Sequence, residues 1–334
     1  MKKLGVGIIL FFFIASCSTD FDVTTSWKDI TVIYGLLDAS DTAQYMKVGK
    51  AYLDPTTSAL TIAKNPDSLY YKELNVVLQN NSSGSTIQLE KVDGNFEGQV
   101  KDTGIFANEP NTLYKTTEPI DQSASYTLVV TQPDNGKQVT ATTQIVNDFQ
   151  VITPSSTIKI NFLPGLTYKV NWNPAQDGII YDLTIRFHYT EVNVNDPTQI
   201  DKKYVDWLVF SNYKIQGTTG SYTIQNDNFY IYLNFAIPDD PNVHRITDSC
   251  DFMFSVGGVE LDNYNQVSIA QQGLTSGQVL PTYTNVDNGL GLLSSRFHKT
   301  IANIEIDPRT VDSIACNSHT SHLNFLTQDG QLCQ

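Results

Sequence analysis

Charged residues are scarce in this chain, and its apolar stretches are short. Asp, Glu, Lys and Arg make up 17% of the 334 residues, and the 35 acidic side chains outnumber the 21 basic ones to give a formal charge of -14. A surface with this excess of negative charge repels phosphate backbones, so we expect no nucleic-acid partner. The apolar run over residues 4–14 is well short of the ~20 residues that a spanning helix needs.

The sequence also lacks the motifs that carry enzymatic chemistry. It contains no Gly-x-Ser-x-Gly motif, no His-Glu-x-x-His zinc motif and no phosphate-binding glycine-rich loop. The glycines at 273 and 277 have the first spacing, but Thr275 stands where the nucleophile would be. Asp239 and Asp240 lie between prolines, which is typical of a turn. We therefore predict a protein that is not an enzyme and holds no cofactor and no metal.

The N-terminus carries the most informative motif. Lys2 and Lys3 precede the apolar run, which ends in the sequence Ile14-Ala15-Ser16-Cys17. This order of basic, apolar and small residues predicts an export signal peptide over residues 1–16. A cysteine directly after the small residues resembles a bacterial lipobox, which implies that Cys17 is lipidated and becomes the mature N-terminus. Several acyl chains would anchor it stably in a membrane.

The short segment over residues 17–26 is polar and is interpreted as a tether between the lipid and a folded body. Asp20 and Asp22 lie just after the lipidation site. In lipoproteins of Bacteroidota, acidic residues at this place resemble a signal for export to the cell surface. The alternative interpretation is a solvated linker. We expect a protein anchored to the outer membrane with its body exposed at the cell surface.

The rest of the chain has the pattern of β-strands joined by turns. Apolar residues alternate strictly with polar ones from 181 to 189, which indicates a strand with one buried face. Closely spaced strands predict an all-β protein, and the segment 154–166 resembles a junction. We predict two immunoglobulin-like or fibronectin type III-like β-sandwich domains, an N-terminal one over 27–153 and a C-terminal one over 154–334 with long hairpin insertions.

Three cysteines follow Cys17. Cys250 is in phase with the apolar residues of a predicted strand, so we interpret it as a buried free thiol. Cys316 and Cys333 lie close in sequence, and export to an oxidising compartment favours a disulfide between them. The alternative is a metal site, because His319 and His322 lie between these two cysteines and would complete a tetrahedral set.

Aromatic side chains are the candidate ligand contacts. The segment 229–235 alternates in a way that favours a strand with Phe229 on its buried face. Tyr230 and Tyr232 would then lie on the opposite face as an exposed pair. Trp172 and Trp207 lie in apolar phase and are expected in the core.

The order of motifs resembles a family of Bacteroidota outer-membrane lipoproteins known only as a domain of unknown function. The resemblance is carried by the lipobox, by Gly35-Leu36-Leu37 after the first strand, and by a late segment, Asn288-Gly289-Leu290-Gly291. It implies a non-enzymatic accessory or ligand-capturing component beside a TonB-dependent β-barrel receptor, and no catalytic residue. The alternative is a structural envelope subunit or a pilus-like assembly subunit. We expect Gly289 and Gly291 to serve positive φ angles or a close approach of backbones.

Overall fold

The computed structural model describes residues 30–51, 58–271 and 282–333. Strands hold 45% of the chain and helices 16%, and the sheets stack in a sandwich-like arrangement, which confirms the predicted all-β class. Within the described ranges, no helix combines the length and the apolar character that crossing a bilayer requires. The predicted signal peptide, Cys17 and the tether lie outside the described residues.

Sixteen strands make up the described sheets. In chain order they are β1 (Ile30–Asp38), β2 (Gln44–Ala51), β3 (Asn75–Asn80), β4 (Thr86–Gln88), β5 (Glu90–Asp93), β6 (Thr112–Thr116), β7 (Ser125–Thr131), β8 (Gln138–Gln144), β9 (Val151–Thr153), β10 (Thr167–Trp172), β11 (Ile180–Asn193), β12 (Ile200–Tyr213), β13 (Gly220–Gln225), β14 (Val243–Gly257), β15 (Val286–Asp287) and β16 (Leu290–Glu305).

The described residues also form five α-helices, four between strands and one after β16. They are α1 (Ala59–Ala63), α2 (Pro66–Leu69), α3 (Asp227–Ala236), α4 (Val259–Gln271) and α5 (Pro308–Cys316). Two single-turn 3₁₀ helices cover Gly94–Phe96 and Ser321–Leu323. Asp307 caps α5, because its side chain accepts a hydrogen bond from the Arg309 amide before the Pro308 start.

The strands form three sheets. The largest has eight strands in the order β12-β11-β14-β16-β1-β2-β6-β5, and the others have the orders β13-β10-β9 and β15-β8-β7-β3-β4. Near the middle of the large sheet, β1 pairs in parallel with β16, whereas β1 and β2 are antiparallel. The pairing of β1 with β16 therefore joins the first described strand to the last one.

Two hydrophobic cores lie against this large sheet. One combines β1 and β2 with β3, β7 and β8 of the five-stranded sheet, and Ile33 and Leu128 are fully buried in it. The other combines β11 and β14 with β10, α3 and α5 around Trp172. The predicted boundary between 153 and 154 falls between β9 and β10, and the large sheet is continuous across both predicted segments. The division into two domains stays a prediction.

The alternating pattern at 181–189 is confirmed, because those apolar side chains of β11 are all buried. The expected core position of Trp172 is also confirmed. The predicted strand at 229–235 is wrong, since these residues belong to helix α3. Its buried residues, Phe229, Tyr230 and Leu233, follow helical spacing rather than alternation.

Candidate functional site

The outer face of β1 carries the candidate site. Ile33, Gly35 and Leu37 point into a core, so the alternate residues Val32, Tyr34 and Leu36 lie on the opposite face of the sheet. Tyr34 pairs across the sheet with Lys47 on β2 and with Leu292 on β16. Its side chain is 46% exposed and borders three cavities. Together they form a surface that we call the Tyr34 groove.

The first cavity has a polar lining and a volume of about 660 Å³. Its wall combines aromatic rings with hydrogen-bonding side chains, namely Tyr34, Tyr45, Tyr264, Asp41, Gln99 and Arg296. Aromatic faces beside a few polar groups are typical of small-molecule sites, and the volume lies in their usual range.

The second cavity has an apolar lining and a volume of about 530 Å³. Helices α1 and α2 and the loop that contains Phe106 cover the sheet here, and aliphatic residues such as Val32, Ile62 and Leu69 line the interior. Lys47, Lys50 and Lys101 also line this space. None of the described lining residues is acidic, although acidic residues outnumber basic ones in the whole chain.

Burial shapes the electrostatics of the second cavity. It lowers the pKa of Lys47, and it lowers the pKa of Lys101 with a further contribution from the nearby charge of Lys47. Lys101 Nζ donates to the carbonyl of Ala107 at 2.6 Å, and Lys50 Nζ donates to the carbonyl of Asp67 at 3.2 Å. Among the described carboxylates, none forms an ion pair with these lysines. The three lysines therefore bring positive charge to the cavity without a counter-charge among the described residues.

The third cavity is smaller, at about 200 Å³, and lies along α4. Tyr34 and Tyr264 form its shared wall with the first cavity. Burial raises the pKa of Tyr34, and the hydrogen-bonded Tyr264 raises it further. The Tyr34 phenol is therefore neutral at physiological pH and acts as a hydrogen-bonding group.

A charged network borders the polar cavity. Asp38 is 1% exposed, and its carboxylate accepts hydrogen bonds from Nδ1 of His298 (2.5 Å) and from the Ser40 amide (2.9 Å). The Ser40 hydroxyl donates to the same carboxylate, and Arg296 Nε lies 3.3 Å from it. Burial alone would raise the pKa of Asp38, but the bonds from His298 and Ser40 outweigh it and the pKa is lowered.

Asp38, Asp41 and His298 lie close enough together to resemble a metal-ligand set. Arg296 already offsets part of the negative charge of this cluster, with Nε 3.3 Å from Asp38 and Nη2 3.8 Å from Asp41. A cation among these ligands would face the guanidinium charge at close range. We therefore interpret the cluster as an ion-pair network that fixes the wall of the polar cavity.

The predicted aromatic pair is not an exposed platform. Tyr230 is fully buried in α3, and its hydroxyl donates to the carbonyl of Phe162 at 2.7 Å, so the prediction of an exposed Tyr230 is wrong. Tyr232 is half-buried, stacks on Trp207 and donates to the carbonyl of Asp206. Both tyrosines serve packing on the side of the second core.

The structure joins Cys316 and Cys333 in a disulfide. Both sulfur atoms are thereby consumed, so they are not thiolate ligands of the kind the alternative metal site requires. His319 and His322 are exposed next to the bridge. Cys250 is a buried free thiol, and burial raises its pKa well above the ordinary value. The lipidation site Cys17 lies outside the described residues and stays a prediction.

One feature of the sequence indicates the Tyr34 groove. β1 contains the run Val32-Ile33-Tyr34-Gly35-Leu36-Leu37, which is apolar on both faces instead of alternating. Such a run is typical of a strand that is covered on both sides or that presents an apolar face to a ligand. The lysines gave no signal, because the loop with Lys101 approaches β2 only in the folded chain.

Comparison with known proteins adds little. No protein-family model and no curated protein matches the chain. A cytokine receptor complex matches 69% of this chain and 92% of its own at 9% identity, with a TM-score of 0.23. The C-terminal globular domain of an oligosaccharyltransferase from Pyrococcus abyssi matches 59% of this chain and 39% of its own at 11% identity, with a TM-score of 0.20. At these TM-scores, neither similarity carries an argument about function.

Proposed function

We propose that this protein is a non-enzymatic outer-membrane lipoprotein that captures a ligand beside a TonB-dependent β-barrel receptor. The Tyr34 groove is the observation that carries the proposal. Three cavities meet there on the outer face of β1, and their lining holds aromatic, cationic and hydrogen-bonding groups. Concave sites of this kind are the usual places for ligand capture.

The membrane attachment in this proposal rests on Cys17 and its signal peptide. The resemblance to the Bacteroidota lipoprotein family supports it and also supports the receptor as partner. The Asp38 carboxylate is held by hydrogen bonds from His298 and Ser40, which agrees with a structural part in the wall of the groove more than with a catalytic one. The first described strand, β1, begins at Ile30 and lines the groove.

The test uses the lipidated full chain with an affinity tag, recovered from bacterial membranes in detergent. Mass spectrometry of the eluate identifies co-purified proteins, and solvent extraction identifies co-purified small molecules. The proposal predicts one β-barrel receptor and one class of small molecule. An Ala59→Trp variant, which fills the groove at α1, should lose the small molecule, whereas Ser156→Trp in an exposed turn should retain it.

Two outcomes would contradict the proposal. Recovery of self-polymers without a receptor would favour the alternative role as a pilus-like or envelope-assembly subunit. A Cys17→Ser variant that still incorporates labelled palmitate and stays in the membrane fraction would overturn the lipid attachment.

A further inference from the structure

The apolar cavity of the Tyr34 groove has a chemical character of its own. Its interior is aliphatic, with a lining that includes Val32, Ile62 and Leu69. Three lysines also line it, in a chain whose acidic residues outnumber its basic ones by 35 to 21. Lysine side chains beside an apolar space, without acidic partners among the described lining residues, favour an occupant with an apolar body and a negative head.

We propose that this cavity binds a single-chain fatty carboxylate, with the alkyl chain along α1 and α2 and the carboxylate between Lys47 and Lys101. This inference rests on the proposed capture function and names the ligand of the same groove. Lys47 is fixed on β2 opposite Tyr34, and Lys101 lies close enough for the two charges to interact.

The two lysines line the same cavity, and their positions favour an anion there. Both side chains are half-buried. Burial removes water from each ammonium group and thereby lowers its pKa. A carboxylate between them would accept hydrogen bonds in place of the lost water and would reduce the repulsion between the two ammonium groups. Lys50 and Lys101 each lie over an aromatic ring, with Nζ 4.9 Å from the Tyr71 centroid and 5.7 Å from the Phe106 centroid.

The aliphatic part of the cavity requires a chain of some length. A volume of about 530 Å³ lies within the range of small-molecule pockets, and the lining is mainly aliphatic and aromatic. Each methylene moved from water to this environment should tighten binding about fourfold. Dodecanoate should therefore bind about 200-fold more tightly than octanoate, which has four fewer methylenes.

Isothermal titration calorimetry of the full chain with dodecanoate, below the concentration at which the probe forms micelles, tests the inference. We expect one site per chain. Lys47→Gln and Lys101→Gln should each weaken binding by about tenfold or more, because each removes a charge-assisted hydrogen bond. Lys169→Gln, an exposed lysine on β10, is the matched control and should leave binding unchanged.

A second arm separates the head group from the chain. Dodecyltrimethylammonium has an alkyl chain of the same length and a positive head, so it should not compete with dodecanoate. Ala59→Trp should abolish binding of dodecanoate by filling the cavity, and circular dichroism with thermal unfolding would show that each variant is folded.

Three results would overturn the inference: no binding of dodecanoate, equal binding of the ammonium probe, or full affinity in both lysine variants. These failures differ from a failure of the proposed function. If another small molecule co-purifies with the wild type and not with Ala59→Trp, capture by the groove stands and only the fatty carboxylate is wrong.

Discussion

Gly291 on β16 lies directly against the backbone of Ile33 on β1, its parallel cross-strand partner. A Cβ on Gly291 would collide with the carbonyl oxygen of Ile33, and the φ angle of Gly291 is +116°. This approach sets the neighbouring pair, Tyr34 and Leu292, side by side in the groove. The expectation that Gly291 serves positive φ and close approach is confirmed.

Gly291→Ala should therefore destabilise the fold strongly. The strained φ and the collision with Ile33 together predict a loss of about 3 kcal/mol in the free energy of unfolding. Gly136→Ala is the matched control, because Gly136 also has a positive φ (+68°) but has open space around it. It should cost about 1 kcal/mol. Urea unfolding of both variants measures the difference, and equal losses would show that the close approach contributes nothing.

Local patterns predicted only what local geometry determines. The alternation in β11 was sufficient to predict its buried face, because successive side chains of a strand point to opposite sides of the sheet. Helix α3 was missed since a seven-residue apolar segment satisfies both periods, and the buried set of Phe229, Tyr230 and Leu233 becomes helical only in the fold. The prediction of an exposed Tyr230 depended on that strand and is wrong for the same reason.

The groove shows why the site was harder to predict than the fold. Asp38 and His298 are 260 residues apart in sequence and meet because β1 pairs with β16. Parallel pairing needs a long connection, and a single sequence does not specify which distant strand provides it. The lysines of the apolar cavity present the same difficulty, since Lys47 and Lys101 come from a strand and a loop that only the tertiary fold brings together.

Asp38→Asn should reduce stability and its dependence on pH. Because the pKa of Asp38 is lowered by folding, the unfolded chain binds this proton at a higher pH than the folded chain does. Ionised Asp38 therefore stabilises the fold fully at pH values above its ordinary pKa of 3.8. That contribution is lost as the pH falls through the lowered folded-state pKa. At neutral pH, we expect the variant to lose about 2 kcal/mol, the value of hydrogen bonds to a charged group.

Urea unfolding of wild type and variant between pH 7 and about pH 2.5 measures this effect. The stability gap between the two proteins should narrow at the acid end, where Asp38 of the folded wild type becomes protonated. Asp134→Asn, in an exposed hairpin turn, is the control and should follow the wild type. A gap of constant size at all pH values would show that the charge of Asp38 plays no part.

The disulfide between Cys316 and Cys333 should contribute to the stability of the C-terminal segment. It closes a loop with a sequence separation of 17, which chain-entropy arguments value at ~3 kcal/mol. A double Cys316→Ser, Cys333→Ser variant should unfold at lower urea concentration, and dithiothreitol should shift the wild type to the same midpoint. Cys250→Ala should retain the response to dithiothreitol, since its buried thiol is unpaired. A wild-type urea midpoint that is the same with and without dithiothreitol would contradict the prediction.

Arg245 links β14 to the C-terminal segment from a fully buried position. Its guanidinium donates to Glu191 (3.0 Å), to the carbonyl of Leu323 (2.6 Å) and to the carbonyl of Pro238 (2.9 Å). Arg245→Ala should cost about 4 kcal/mol, because it leaves the partners of a buried charge unpaired. Arg309→Ala removes an exposed ion pair with Asp307 and should change the free energy of unfolding little.

Substitutions at both Arg245 and Glu191 test whether the two side chains act as a pair. Glu191→Gln should also destabilise, since it leaves the arginine charge uncompensated, whereas Arg245→Met combined with Glu191→Leu should recover part of the loss by replacing the ion pair with apolar packing. Thermal and urea unfolding of Arg245→Met alone, Glu191→Leu alone and the variant with both form a double-mutant cycle for this pair. Additive losses would show that the two side chains act independently, and the buried ion pair would then not be what fixes the C-terminal segment to β14.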